Sequence, residues 1–161
     1  MIILLMGVAG SGKTTVGELL AGQLEWPFHD ADDFHPQENV EKMAKGIPLT
    51  DQDRLPWLER LNGLLRNASQ LNSNIVLACS ALKNSYREVI CADVPDLRIV
   101  YLKGDYRLIE RRMLERKNHY MKHGMLRSQL DALEEPTGVL TIDITEDIPT
   151  IVKEIRSSLD V

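Results

Sequence analysis

The sequence predicts an α/β protein in which a parallel sheet is covered by helices on both faces. Three observations carry this. Short aliphatic runs alternate with longer stretches of helical spacing, the first run is apolar without interruption, and no repeat or Gly/Ser-rich linker divides the 161 residues. A chain of that length suits one domain, taken as 1–161, with a core large enough to stand without staples.

In chain order, Ile2 to Met6 reads as a buried central strand. Lys13 to Leu24 follows as a helix, with Val16, Leu19, Leu20 and Leu24 on one face. Pro27 to Asp30 is a short second strand ending in acidic residues, Ile75 to Cys79 a third, Leu97 to Leu102 a fourth and Val139 to Ile144 a fifth. Leu55, Leu58, Leu61 and Leu65 repeat with helical period, as do Leu108, Ile109 and Met113, then Leu126, Leu130 and Leu133. The tail carries one apolar stripe, Ile148, Ile151, Val152, Ile155 and Leu159.

A formal charge of -5 argues against general nucleic-acid binding, which needs a broad basic surface to displace phosphate counterions. No apolar run reaches the ~20 residues that span a bilayer, and the start lacks a basic leader, so a cytoplasmic protein with no membrane partner is expected. Two cysteines, Cys79 and Cys91, form no disulfide framework and no metal knuckle. Cys79 reads as a buried filler and Trp26 and Trp57 as packing residues. His119 and His123 have i, i+4 spacing without a third ligand, which disfavours zinc. Arg111, Arg112, Arg116, Lys117, His119, Lys122 and His123 crowd positive charge into an acidic chain, as a solvated helix face or as a flap over an anion.

The phosphate loop favours the flap. Gly7-Val8-Ala9-Gly10-Ser11-Gly12-Lys13-Thr14 satisfies G-x-x-x-x-G-K-S/T, with a strand before it and a helix after it. Glycines let successive N–H groups converge on one anion, and the helix start adds its positive dipole end. Lys13 is the counter-charge for the outer phosphates, and the Thr14 hydroxyl is the side-chain ligand for Mg²⁺. Neither D-x-x-G nor N-K-x-D occurs, which sets a guanine-nucleotide switch aside and leaves a small-molecule kinase. Such an enzyme needs an acid for the acceptor hydroxyl and a lid against water. Asp30 and Asp32, after the second strand, fall at the C-terminal sheet edge where open α/β folds bind ligands. One would support the metal shell and the other take the proton, while Asp33 reads as a helix-start residue. Ser80, Lys83 and Arg87 leave the third strand towards an anionic acceptor.

Together these blocks resemble the gluconate kinases, small P-loop kinases related to shikimate and adenylate kinases. The resemblance runs through Gly7–Thr14, Asp30–Pro36 with Asn39 and Lys42-Met43-Ala44, Gly46–Arg54 with Pro56-Trp57-Leu58, Cys79–Lys83 with Tyr86-Arg87, Tyr101–Gly104, Arg116-Lys117 with His119, Ser128-Gln129 and Leu133–Pro136. It implies a three-layer P-loop NTPase fold with a five-stranded parallel sheet in the order 2-3-1-4-5, a mobile lid over about 112–126 and a homodimer. It also implies ATP-dependent phosphorylation of D-gluconate at its terminal hydroxyl, with Mg²⁺. By the same resemblance Gly7, Val8, Ala9, Gly10, Ser11, Gly12, Lys13, Thr14 and Thr15 hold the nucleotide, and Arg112 and Arg116 reach the transferring phosphate from the lid. Lys13, Asp32 and Arg116 are then catalytic, Asp32 taking the acceptor proton. Thr14 and Asp30 serve the metal, and Asp32, His35, Arg54, Ser80, Lys83 and Arg87 line the acceptor pocket. Ala31 replaces a usual glycine between the two aspartates, Ala9 a common serine and Asn118 a glycine, and the third strand ends in Cys-Ser instead of an acid. The rival readings are a kinase of another small polyol acid, such as shikimate, and an ATP-binding regulator without transferase activity.

Overall fold

The computed structural model describes residues 1–115 and 123–161. Strands β1 (Ile2–Met6), β2 (Phe28–Asp30), β3 (Ile75–Ala78), β4 (Leu97–Lys103) and β5 (Leu140–Asp143) form one five-stranded sheet in the order β2-β3-β1-β4-β5. Every pairing is parallel, with β1 in the middle opposite Ile75–Ala78 on one side and Leu97–Tyr101 on the other. The fold class and strand order expected from the sequence are therefore present.

Helices α1 (Lys13–Leu24), α2 (Gln37–Ala44), α3 (Asp51–Gln70), α4 (Asn84–Cys91), α5 (Tyr106–Glu115), α6 (His123–Ala132) and α7 (Ile148–Leu159) complete the described elements, with a 3₁₀ turn at Ala31–Phe34. The alternation of β1 sends Ile2, Leu4 and Met6 to one face, where they meet Trp57, Leu61 and Leu65 of α3 and Ile90 of α4. Ile3 and Leu5 go to the other face, against Val16 and Leu20 of α1, Ile109 of α5 and Ile151, Val152 and Ile155 of α7. Leu61 and Leu65 are wholly buried, and truncating either to alanine would cost about 2–5 kcal/mol.

The lid expected over 112–126 falls partly outside the described residues, and with it Arg116, Lys117, Asn118, His119 and Lys122. Two helices lay hidden from the periodicity. In α2 the apolar residues Val40 and Met43 are exposed and make no buried stripe. The basic stretch after β3 begins as loop but becomes α4 at Asn84. Asp33 does not start a helix: the Asp30 side chain caps the 3₁₀ turn by accepting the Asp32 N–H at 3.1 Å. The second strand stops at Asp30, so Asp32 lies in this turn and not on a strand edge.

Candidate active site

Parallel strands bring three loops to one edge of the sheet: residues 7–12 after β1, the acidic turn after β2, and residues 79–83 after β3. The first loop is shaped by close approach. A Cβ on Gly7 would stand 2.7 Å from Ser11 Oγ and 2.8 Å from the Leu102 carbonyl, so only glycine fits. Gly12, at φ 93°, is the N-cap of α1, and no side chain caps that helix. Its first-turn N–H groups are thus left for an anion. Among the described residues, Ser11 Oγ is the one buried side-chain polar atom without a partner, and it belongs to this loop, close against Gly7.

Lys13 folds back over the loop and donates to the Val8 carbonyl at 3.0 Å. Desolvation lowers its pKa against the opposing pull of Cys79, Asp32 and Asp30. Cys79 is buried and its thiol is pushed up to about 12, so it remains an uncharged packing group. The Thr14 hydroxyl donates to Asp30 Oδ2 at 2.9 Å, which leaves the oxygen's lone pairs for another partner. No group of three His, Cys, Asp or Glu side chains able to hold a metal assembles among the described residues. Two oxygen donors beside a phosphate cradle fit Mg²⁺, which keeps most of its water and takes its remaining ligands from phosphates.

Asp32 is exposed, and its carboxyl feels Asp30, His35 and Lys13 at close range together with partial desolvation. That desolvation raises its pKa, with the Asp30 charge adding to it and His35 and Lys13 opposing. A carboxylate so raised is a better proton acceptor than an ordinary one. His35 is stacked on Trp57, ring centroids 4.3 Å apart and planes 13° from parallel. Desolvation lowers its pKa, Asp32 opposes this and Arg54 adds to it, which favours the neutral ring. Its Nδ1 lies 3.3 Å from the amide nitrogen of buried Asn39, which also donates to the Asp53 carbonyl. The donor on Nδ1 assigns the proton to Nε2, which is then a hydrogen-bond donor. Trp57 does more than pack: its indole N–H donates to the Ala31 carbonyl at 2.7 Å and pins the acidic turn.

The acceptor side is a network. Lys83 donates to both Asp51 carboxyl oxygens at 3.1 Å, and the Tyr86 hydroxyl donates to the same carboxylate. The Arg54 guanidinium donates to the Leu49 carbonyl at 2.7 Å and stands 3.8 Å from Asp51. Arg54 and Lys83 both lie over the Tyr86 ring, at 5.7 and 5.4 Å from its centroid. The Tyr86 hydrogen bond, followed by that from Lys83, holds the Asp51 carboxyl below its usual pKa, and the Asp51 hydrogen bond in turn raises Lys83. Two cations against one carboxylate leave a single net positive charge, which suits an acceptor with one carboxylate.

One sequence-based assignment needs correction, and a second arginine has a contact the sequence does not announce. Arg87 is 6 % exposed, and its guanidinium donates to the carbonyls of Ala81, Leu82 and Glu134 at 2.7, 3.0 and 2.8 Å. It builds the loop that carries Lys83; it does not face an acceptor. Arg112 donates to the carbonyls of Ile144 and Glu146, fastening α5 to the turn after β5. Ser80 is half-buried beside the phosphate loop and accepts the Gly7 N–H on its carbonyl at 3.4 Å. Thr15 is exposed on the first turn of α1. Asp51, Tyr86 and Asn39 stand within the sequence blocks quoted above, but nothing local in the sequence marks their roles.

The shikimate kinase family model matches residues 9–145. A probable gluconokinase of Xenopus tropicalis is 45 % identical over 99 % of this chain and 94 % of its own length. The thermosensitive gluconokinase of Escherichia coli K12 is 42 % identical over 97 % of the chain and 86 % of its length. The chain belongs to the gluconokinase family. A crystal structure of a gluconokinase from Sinorhizobium meliloti superposes with a TM-score of 0.87 at 41 % identity, covering 98 % of this chain and 90 % of that one. The fold, with its strand order, is thus that of a gluconokinase-family kinase.

Proposed function

We propose that this protein transfers the terminal phosphoryl group of ATP to the terminal hydroxyl of D-gluconate, giving 6-phosphogluconate and ADP. The observation that carries this reading is the meeting, at one sheet edge, of a phosphate cradle, an Asp30–Asp32 pair and a cationic cluster with one net positive charge. Gluconate, as the particular acid, is taken from the relatives' names.

The cradle amides and Lys13 hold the polyphosphate and neutralise its charge as the bond to phosphorus loosens. Thr14 and Asp30 would hold Mg²⁺, whose charge shields the outer phosphates. Asp32 accepts the proton of the attacking hydroxyl as its oxygen bonds to phosphorus, and the bond to the ADP oxygen breaks. Lys83 and Arg54 hold the acceptor carboxylate, and His35 donates from Nε2 to an acceptor hydroxyl. Arg116 serves the transferring phosphate from outside the described residues. Family resemblance further supports a homodimer, which sedimentation would test. Among the described residues no helix is long and apolar enough to cross a membrane, which fits a cytoplasmic enzyme.

The test is ADP release from Mg-ATP with a panel of acceptors. Release with gluconate, and little with shikimate or glucose, is the expected result; turnover on shikimate and none on gluconate would overturn the choice of acid.

A further inference from the structure

The loop that carries Lys83 is held in a conformation its own residues do not favour. Ala81 has φ 45°, in the left-handed region that side chains rarely adopt, so contacts from elsewhere must fix the turn. Lys83 is the N-cap of α4 and gives that helix no side-chain cap, because an ammonium group has no lone pair to offer. A lysine there also sets a cation near the positive end of the helix. Its Nζ is turned to Asp51, whose two carboxyl oxygens it meets at 3.1 Å.

Glu134, 50 residues after Asn84 and just beyond the end of α6, supplies what the loop lacks. All three of its polar groups engage this stretch. Its N–H donates to the Leu82 carbonyl at 2.9 Å, and its own carbonyl accepts from Arg87 at 2.8 Å. Its carboxylate accepts the Asn84 N–H, the first of α4, at 2.6 Å. The helix is thus capped from outside by an anion, which offsets the cation at its N-cap. Residues 82 and 84 are clasped on either side of Lys83, whose side chain bonds elsewhere.

We propose that Glu134 is a positioning residue for Lys83. By capping α4 in place of the N-cap side chain, it lets position 83 carry a cation and fixes where that cation stands. The inference rests on reading Lys83 as a holder of the acceptor carboxylate. Glu134 acts through the loop, so its loss should weaken acceptor binding and leave nucleotide binding and the chemical step alone.

The test measures kcat and the KM values for gluconate and ATP in the full-length protein at a temperature where circular dichroism shows every variant folded. The variants are Glu134→Ala, Glu134→Gln, Lys83→Ala and the double variant Glu134→Ala with Lys83→Ala. Glu134→Ala is expected to raise the KM for gluconate about fivefold, the worth of one hydrogen bond, with kcat and the KM for ATP within about twofold of the parent. Glu134→Gln keeps an oxygen that can accept the Asn84 N–H and should stay within about twofold of the parent throughout. Without Lys83, removing Glu134 should change the KM for gluconate by less than about twofold, because the cation it positions is gone. The proposal is overturned by a gluconate KM that Glu134→Ala does not move, by one raised as much without Lys83 as with it, or by Glu134→Gln behaving like Glu134→Ala. A parent inactive on gluconate, or a Lys83→Ala variant with the parent's KM for gluconate, would instead overturn the acceptor reading, and the positioning role with it.

Discussion

The two halves of the site are built in different ways. The phosphate side is mostly backbone: one loop of the chain, shaped by Gly7 and Gly12, presents N–H groups and needs only Lys13 and Thr14 as side chains. The acceptor side is mostly side chains, and four separate segments supply them: the acidic turn, α2, the start of α3 and the loop into α4. The difference teaches where specificity resides. Every nucleoside triphosphate offers the same polyphosphate, so a rigid main-chain cradle suffices, whereas one sugar acid is told from another by groups that hold each other in place.

That contrast can be broken by substitution. Lys13→Ala should lower turnover about 10³- to 10⁴-fold in a protein that melts like the parent, measured as ADP release. A small loss would mean that the backbone cradle suffices without its one cation. Asp32→Asn should lower kcat by roughly 10²–10³-fold while AMP-PNP affinity stays within about twofold; a loss of affinity with kcat intact would move Asp32 to the nucleotide side. Arg87→Ala takes the guanidinium donor from the Ala81 and Glu134 carbonyls, while the Leu82 carbonyl keeps the Glu134 N–H. It should cost about 3 kcal/mol of stability in denaturant titrations, with a fall of about 6–12 °C in melting temperature. Lys83→Ala should raise the KM for gluconate about tenfold and leave the KM for ATP alone, which would sharpen the division between the halves.

The smallest expected effect is on pH dependence. Asp32 must be ionised to accept a proton, and its raised pKa moves the acid limb of kcat/KM to higher pH than an unperturbed aspartate would give. The Asp30 charge contributes to that rise, so Asp30→Asn should lower the Asp32 pKa and move the limb to more acid pH, whatever it does to the height of the profile. A limb that stays in place would assign it to another group.

Legibility in the sequence follows the same division. The cradle is local, residues 7–14 between a strand and a helix, and spacing alone exposes it. The strand order came from resemblance, and strand ends were read to within a residue or so, as at β3, which stops at Ala78 where Cys79 had been expected. The acceptor side depends on contacts between distant residues. Nothing near Arg87 in sequence indicates that it serves carbonyls, since one of them, Glu134, lies 47 residues on. Trp57 looks like packing until its N–H meets Ala31, 26 residues earlier. The aspartate cap was misplaced for a different reason. Asp30 and Asp33 are equally good caps by type, and only the backbone turn decides that Asp30 receives the N–H.

The most direct test of the whole account is to follow Mg-ATP and gluconate with the purified protein by phosphorus NMR. The account predicts one sugar-acid phosphomonoester formed for each ADP, with no build-up of inorganic phosphate. ADP accompanied by inorganic phosphate and no phosphomonoester would show that water, not gluconate, meets the terminal phosphoryl group, and would contradict it.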